Sequence, residues 1–211
     1  MKGLILKDLY YIKNNLKILI PFTILWGVLS LKQDSSFTGI IEFILPFIVG
    51  MNIVSTTLEE ERGSWNRYFQ ISPISRKSII LEKYLVLNIL TLLTYFATSF
   101  VFGVLSKSLD FNNILLGSKS AIIILFMLNS YLTFTLIFGF RKSQAYLFSA
   151  TIAVIALYLG VKEIFPNLLS SISYLIKNKP YLSLGIMMMF FTIYLIVSIV
   201  LSYIFTKNKE Y

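Results

Sequence analysis

The 211-residue sequence predicts an all-α integral membrane protein with six transmembrane helices, and three observations carry that prediction. The first is composition. Hydrophobic residues make up 56% of the chain and charged residues 14%, with a mean hydropathy of +0.77. Soluble domains run at roughly 45–50% apolar and about 25% charged. A soluble fold of this size has too little interior to hide so much apolar surface. The second observation is spacing: the apolar residues fall into runs of the length that crosses hydrocarbon, about 20 residues with a range of roughly 17–25. The third is charge placement, because the 19 Lys and Arg sit in or beside the gaps between those runs. Backbone groups inside a bilayer must be satisfied within their own segment, so the runs are read as helices.

The chain begins with an amphipathic element. Over residues 1–16, Ile5, Leu9, Ile12 and Leu16 recur at helical spacing, with Lys2, Lys13 and Lys17 on the flank. This predicts an amphipathic helix lying along the inner leaflet, since extending the first span instead would carry four Lys into lipid. The six expected spans are Lys17–Leu31, Ile40–Leu58, Tyr84–Leu105, Ala121–Phe140, Ala145–Val161 and Tyr181–Phe205. The first Ala is Ala97, so no A-x-A cleavage site comes after the first run, which is expected to remain as an uncleaved helix. Residues 59–83, EEERGSWNRYFQISPISRKSIILEK, form the longest polar stretch, with a turn at Pro73 and with Ser75 as a cap for the next helix. Only Arg141–Gln144 separates the fourth and fifth runs. Residues 162–180 hold Ile164, Phe165, Leu168, Leu169 and Ile172, too apolar for an ordinary wet loop, and are expected to dip into the outer leaflet. No repeat or soluble domain interrupts the chain, so residues 1–211 read as one domain.

Orientation is set by the basic residues. With the N-terminus inside, all four Arg and nine of the Lys fall in cytoplasmic segments. An even number of spans and two cytoplasmic termini are therefore expected, in the cell membrane.

The net charge of +9 is spread through these gaps, not gathered on a soluble basic face, which argues against a nucleic-acid partner and for membrane lipids as partners. With no Cys and no His, disulfides, thiolate nucleophiles and imidazole catalysis are excluded. The P-loop pattern, the G-x-S-x-G elbow and the H-E-x-x-H helix are all missing, so no enzymatic site and no bound cofactor are expected in this chain. Glu59, Glu60 and Glu61 are adjacent and point in different directions on a helix, so they read as a solvated or partner-facing cytoplasmic surface and not as a metal site. The expected spans contain almost no charge apart from Glu42 at an outer edge, which argues against ion-coupled transport. Their uncharged polar residues, Asn52, Thr56, Asn88, Thr91, Asn129, Ser130 and Thr133, either bond between helices or line a pathway.

The order of parts resembles the permease subunit of bacterial ABC-2 type transporters. The acidic run, the aromatic stretch and the Pro-centred ISPISRKSIILEKYL are similar to that family's pattern, as is the opening MKGLILKDLYYIKNNLK. The Lys-, Asn- and Ile-rich composition suits a low-GC Firmicute, and within the family the chain resembles in size and style the small staphylococcal permeases that export phenol-soluble modulins. The resemblance implies a partnership with cytoplasmic ABC ATPase subunits, which bind the ATP and Mg, and with a second permease chain. It also implies that 59–83 is a coupling segment. Its contact residues would be Glu60, Glu61, Arg62, Trp65, Arg67 and Tyr68, with Ser72, Pro73, Ser75 and Arg76 as a second arm. The expected function is export of a hydrophobic or amphipathic substrate such as a peptide or antibiotic. The rival expectations are a non-transporting immunity or regulatory protein that binds a peptide toxin, and an intramembrane enzyme.

Overall fold

A computed structural model describes residues 35–62, 75–105, 111–146 and 178–207, with residues 3, 5–10, 12–13, 17, 21, 149 and 152. All of these except Ser75, Gly139 and Lys179 are helical, and no strand occurs among the described residues. Four long helices result: α1 (Ser35–Arg62), α2 (Arg76–Leu105), α3 (Phe111–Phe138) and α4 (Pro180–Lys207). At 1.5 Å per residue each is roughly 40–45 Å long, against about 30 Å for the hydrocarbon of a bilayer. Arg76–Val101, Gly117–Phe138 and Pro180–Lys207 are each long and apolar enough to cross a membrane, and α1 carries a shorter apolar stretch, Phe43–Thr57. The expected spans Lys17–Leu31 and Ala145–Val161, and the 162–180 insertion, lie almost wholly outside the described residues.

The structure corrects the sequence reading in two places, the turn after α3 and the N-terminal face. Within residues 59–83, 59–62 continue α1 and 76–83 open α2 behind Ser75. Charged residues lengthen these helices because Glu60 and Lys83 are paired with each other and not left to water. The turn after α3 falls on Gly139, not on Arg141–Gln144. Gly139 takes φ 85°, a left-handed conformation that suits glycine, its N–H bonds the Thr135 carbonyl at 2.9 Å, and residues 140–146 are already helical. Near the N-terminus the inward face is Ile5, Asp8 and Ile12, while Leu9 turns outward. An aspartate has taken the place expected of a leucine.

Central positions belong to α2 and α3, each of which packs on the other and on both α1 and α4; α1 and α4 do not touch. α2 runs antiparallel to α3, with Tyr84 opposite Thr133 and Asn88 opposite Asn129. It also runs antiparallel to α4, with Arg76 at Lys207 and Tyr84 at Ser202. The apolar core gathers Val49, Ile53 and Val54 of α1, Ile80 and Leu87 of α2, and Ile124, Leu128 and Leu132 of α3 around Ile12. α4 is patterned inside out. It buries Ser183, Ser198, Ser202 and Thr206 and exposes Ile186, Met189, Phe190, Ile193 and Ile204. That suits a helix in lipid, where apolar groups gain nothing by leaving the solvent and polar groups hold helices together.

Gly50 sets the closest approach of α1 to α3, because a Cβ there would collide with the buried side chain of Leu128. Gly185 of α4 is exposed, with nothing within 4 Å of where a Cβ would stand. Gly50→Val should therefore cost about 1–3 kcal/mol by overpacking, whereas Gly185→Ala should be neutral or gain up to about 1 kcal/mol of helix propensity. Heating detergent-solubilised variants and measuring the monodisperse fraction left checks both.

Candidate functional site

One end of the bundle concentrates the charged chemistry, and the start of α2 organises it. Ser75 caps that helix: the Ser78 N–H donates to its Oγ at 3.3 Å and to its carbonyl at 2.9 Å. Arg76, the first helical residue, donates to the Thr206 and Lys207 carbonyls of α4 at 3.1 and 2.7 Å. A cation thus meets the negative, unsatisfied end of an antiparallel helix. Lys77 adds a cation–π contact, its ammonium 4.9 Å from the Tyr203 ring centroid.

Two turns further in lies Lys83, whose side chain is 1% exposed. Its ammonium donates to Asp8 Oδ2 at 2.7 Å and to Thr56 Oγ1 at 2.9 Å, and stands 2.9 Å from Glu60 Oε1. A lysine carries three N–H donors, and three acceptors surround this one. The Thr56 hydroxyl is used twice, since it also donates to the Ile53 carbonyl at 2.7 Å. Lys7 bonds Glu60 from the other side and lies 3.5 Å from Asp8 Oδ1. Asp8 is fully buried. The junction therefore ties the N-terminal helix, the end of α1 and the start of α2 into one unit. Glu82 lies beside it, 1% exposed, with neither carboxyl oxygen hydrogen-bonded among the described residues.

Deeper in, uncharged polar groups continue the links. The Tyr84 hydroxyl lies 2.7 Å from Thr133 Oγ1, 2.9 Å from Ser202 Oγ and 3.3 Å from the Ser198 carbonyl, joining α2, α3 and α4. Asn88 and Asn129 exchange amide hydrogen bonds at 3.1 and 3.0 Å, and each gives its second N–H to the carbonyl four residues back at 2.7 Å. Ser130 meets Tyr194 at 2.6 Å. On the far side of the turn at Gly139, Thr135 donates to Ser143 Oγ at 3.0 Å.

The residues singled out from sequence separate into groups. Glu60 turns its carboxylate into the junction, not outward. Glu61 and Arg62 are in the last turn of α1. Ser75 is a helix cap, and Arg76 is committed to the end of α4. Trp65, Arg67, Tyr68, Ser72 and Pro73 lie outside the described residues. Asn52 donates to the Ile48 carbonyl of its own helix at 3.0 Å, Thr56 serves Lys83, and Asn88, Asn129 and Thr133 bond between helices. Sequence reasoning missed Asp8, Glu82, Lys83, Tyr84 and Ser202. Two signals were present: Asp8 is the only acidic residue before Asp34, and Glu82–Lys83 directly abuts an apolar run with no glycine or proline between.

A family model described as "ABC-2 family transporter protein" matches residues 3–208. No curated protein and no solved structure matches the chain.

The junction predicts a specific mutational pattern. Lys83→Met takes the nearer cation from the fully buried Asp8, while Lys7 still holds Glu60, and should cost about 3–5 kcal/mol. Adding Asp8→Asn to Lys83→Met removes the charge left behind and should recover part of the loss. Thermal stability of the purified variants in detergent checks this, and a double variant no better than the single one would mean that Asp8 and Lys83 are not coupled.

Proposed function

The chain belongs to the ABC-2 transporter family, and on that premise we propose that it is the permease subunit of an ATP-driven exporter in the cell membrane. It moves a hydrophobic or amphipathic substrate, such as a peptide or antibiotic, while separate cytoplasmic ABC ATPase subunits bind ATP and Mg. A second permease chain completes the path. The observation that carries this reading is the extent of the family match, residues 3–208, over a chain with three helices long and apolar enough to cross a membrane.

The positions of the helix ends support six spans with both termini cytoplasmic. Asp8 and Lys207 both meet the first turns of α2, through Lys83 and Arg76, so both ends of the chain lie at one end of the bundle. α3 finishes at that end and α4 starts at the opposite one. Asp8 likewise lies at the junction end, and α1 starts at the opposite one. The basic residues Arg76, Lys77, Lys83, Arg141, Lys142 and Lys207 gather at the junction end, which is the cytoplasmic one by the positive-inside rule.

On this reading the ATPase docks against residues 63–74, between the end of α1 and the cap of α2. Trp65 and Tyr68 are the anchors, with Arg67 as a charged contact. The junction is the stiff base on which that segment stands, so a push from the ATPase reaches α1, α2 and the N-terminal helix together.

Two experiments test this. Trp65→Ala with Tyr68→Ala should remove at least about 2 kcal/mol of binding, roughly thirtyfold, and abolish co-purification of the ATPase while the permease stays monodisperse. Wild-type capture by that variant would sink the coupling assignment. The chain has no Cys, so topology can be read from single cysteines at exposed positions. Gln144→Cys should be shielded from an impermeant maleimide in intact cells and Asn178→Cys should label; the opposite pattern inverts the orientation.

A further inference from the structure

We propose that the outward face of the N-terminal helix is a docking surface for anionic phospholipid. Lys13 and Lys17 hold the headgroups, while Leu6 and Tyr10 sit at the acyl boundary. The proposal takes only one thing from the permease reading, the cytoplasmic side of the N-terminus.

The helix has two faces with different work. Its inner face is occupied: Asp8 is held by Lys83, Ile12 is 2% exposed and Ile5 is half-buried. Gly3, Leu6, Tyr10 and Lys13 are all exposed, and their spacings of three, four and three residues put them along one helical stripe; Lys17, helical and exposed as well, comes four residues later. Leu6 is 60% and Tyr10 70% exposed, so large apolar groups stand uncovered beside two ammonium groups.

Position and charge together name the occupant. Asp8 fixes this helix to the eighth residue of α2, close to where a membrane-crossing helix begins, so the stripe lies at the level of the membrane surface. There an apolar body with a polar tip, as in Tyr10, is at home, and lysine stems reach from hydrocarbon to headgroup. Neither Lys13 nor Lys17 forms an ion pair with a carboxylate among the described residues. A zwitterionic lipid would cover Leu6 and Tyr10 but leave the two cations without a counter-charge. An anionic lipid satisfies both halves of the stripe. Each basic residue near an anionic surface strengthens binding about fivefold, so the pair should give roughly a thirtyfold preference.

The test uses the full-length protein in neutral detergent, with the exposed Gly3 replaced by cysteine and carrying an environment-sensitive fluorophore. Phosphatidylglycerol or phosphatidylcholine is titrated into the micelles. Phosphatidylglycerol should shift the emission at roughly thirtyfold lower lipid fraction. Lys13→Gln with Lys17→Gln should abolish that preference, and Lys13→Arg with Lys17→Arg should keep it. If the glutamine variant does not fold, wild-type protein in about 1 M salt, where screening acts beyond roughly 3 Å, should lose the preference instead. An equal response to the two lipids would overturn the proposal. So would a preference that survives both the glutamine changes and high salt, or one that soluble glycerol phosphate competes away. The assay contains neither ATPase nor ATP, so its failure leaves the permease reading standing, and a failure of ATPase capture leaves this surface standing.

Discussion

The Lys83 ammonium is the constraint on which the junction end depends. A buried cation is tolerated only when the attraction of its partners and its hydrogen bonds offset the water it has lost. Here three donors meet three acceptors, drawn from the N-terminal helix, from Thr56 and from Glu60. The acceptors come from different elements, so the lysine is satisfied only when those elements are assembled. Its electrostatics therefore do the work of a fastener. A guanidinium would be a poor substitute, because its planar fork suits side-on pairing with one carboxylate better than a compact group of three oxygens.

Away from this end the fastening changes character by degrees. Ionic contacts give way to the Tyr84 hydroxyl, then to the Asn88–Asn129 amide pair, while the outer surfaces of α2 and α4 stay apolar. The order tracks solvent. Near the headgroups a charge can be brought in at low cost and paired, whereas deeper in only uncharged groups that bond each other are tolerated. The amide pair closes on itself: each Asn uses both N–H groups and its carbonyl, so nothing polar is left facing hydrocarbon.

The helical class and the main apolar runs were legible because hydrophobicity over about 20 residues is a strong, local signal. Tyr181–Phe205 lies within α4, which runs only a residue or two further at each end, for that reason. What could not be read was pairing between residues far apart in sequence. Asp8 and Lys83 are 75 positions apart, and each alone looks like a surface charge. The apolar repeat at the N-terminus rightly put Ile5 and Ile12 on one face but did not show that Asp8, held by Lys83, takes the place of Leu9 there. Helical starts and ends in residues 59–62 and 76–83 could be expected from the length of the stretch and the Ser75 cap, but not what their charges pair with. A charged stretch looks solvated until its partners are known. Gly139 was the opposite case, a turn signal that the longer polar run beside it obscured.

The fasteners share one helix, and this has a mechanical consequence. α2 is held to α1 and the N-terminal helix through Lys83, to α4 through Arg76 and Tyr84, and to α3 through Asn88. α1 and α4 do not touch, so among the described helices a displacement passes between them through α2 or α3. The polar segment after Arg62 joins this system at the end of α1 and the cap of α2, two residues beyond Glu60 on one side and eight before Lys83 on the other. For a permease driven from that segment, the burial of Lys83 is then a requirement and not an accident. A solvated lysine could exchange partners for water and let α1 slide against α2, absorbing the stroke. A desolvated one has no such alternative, so movement at the junction must either carry the helices together or break three hydrogen bonds at once.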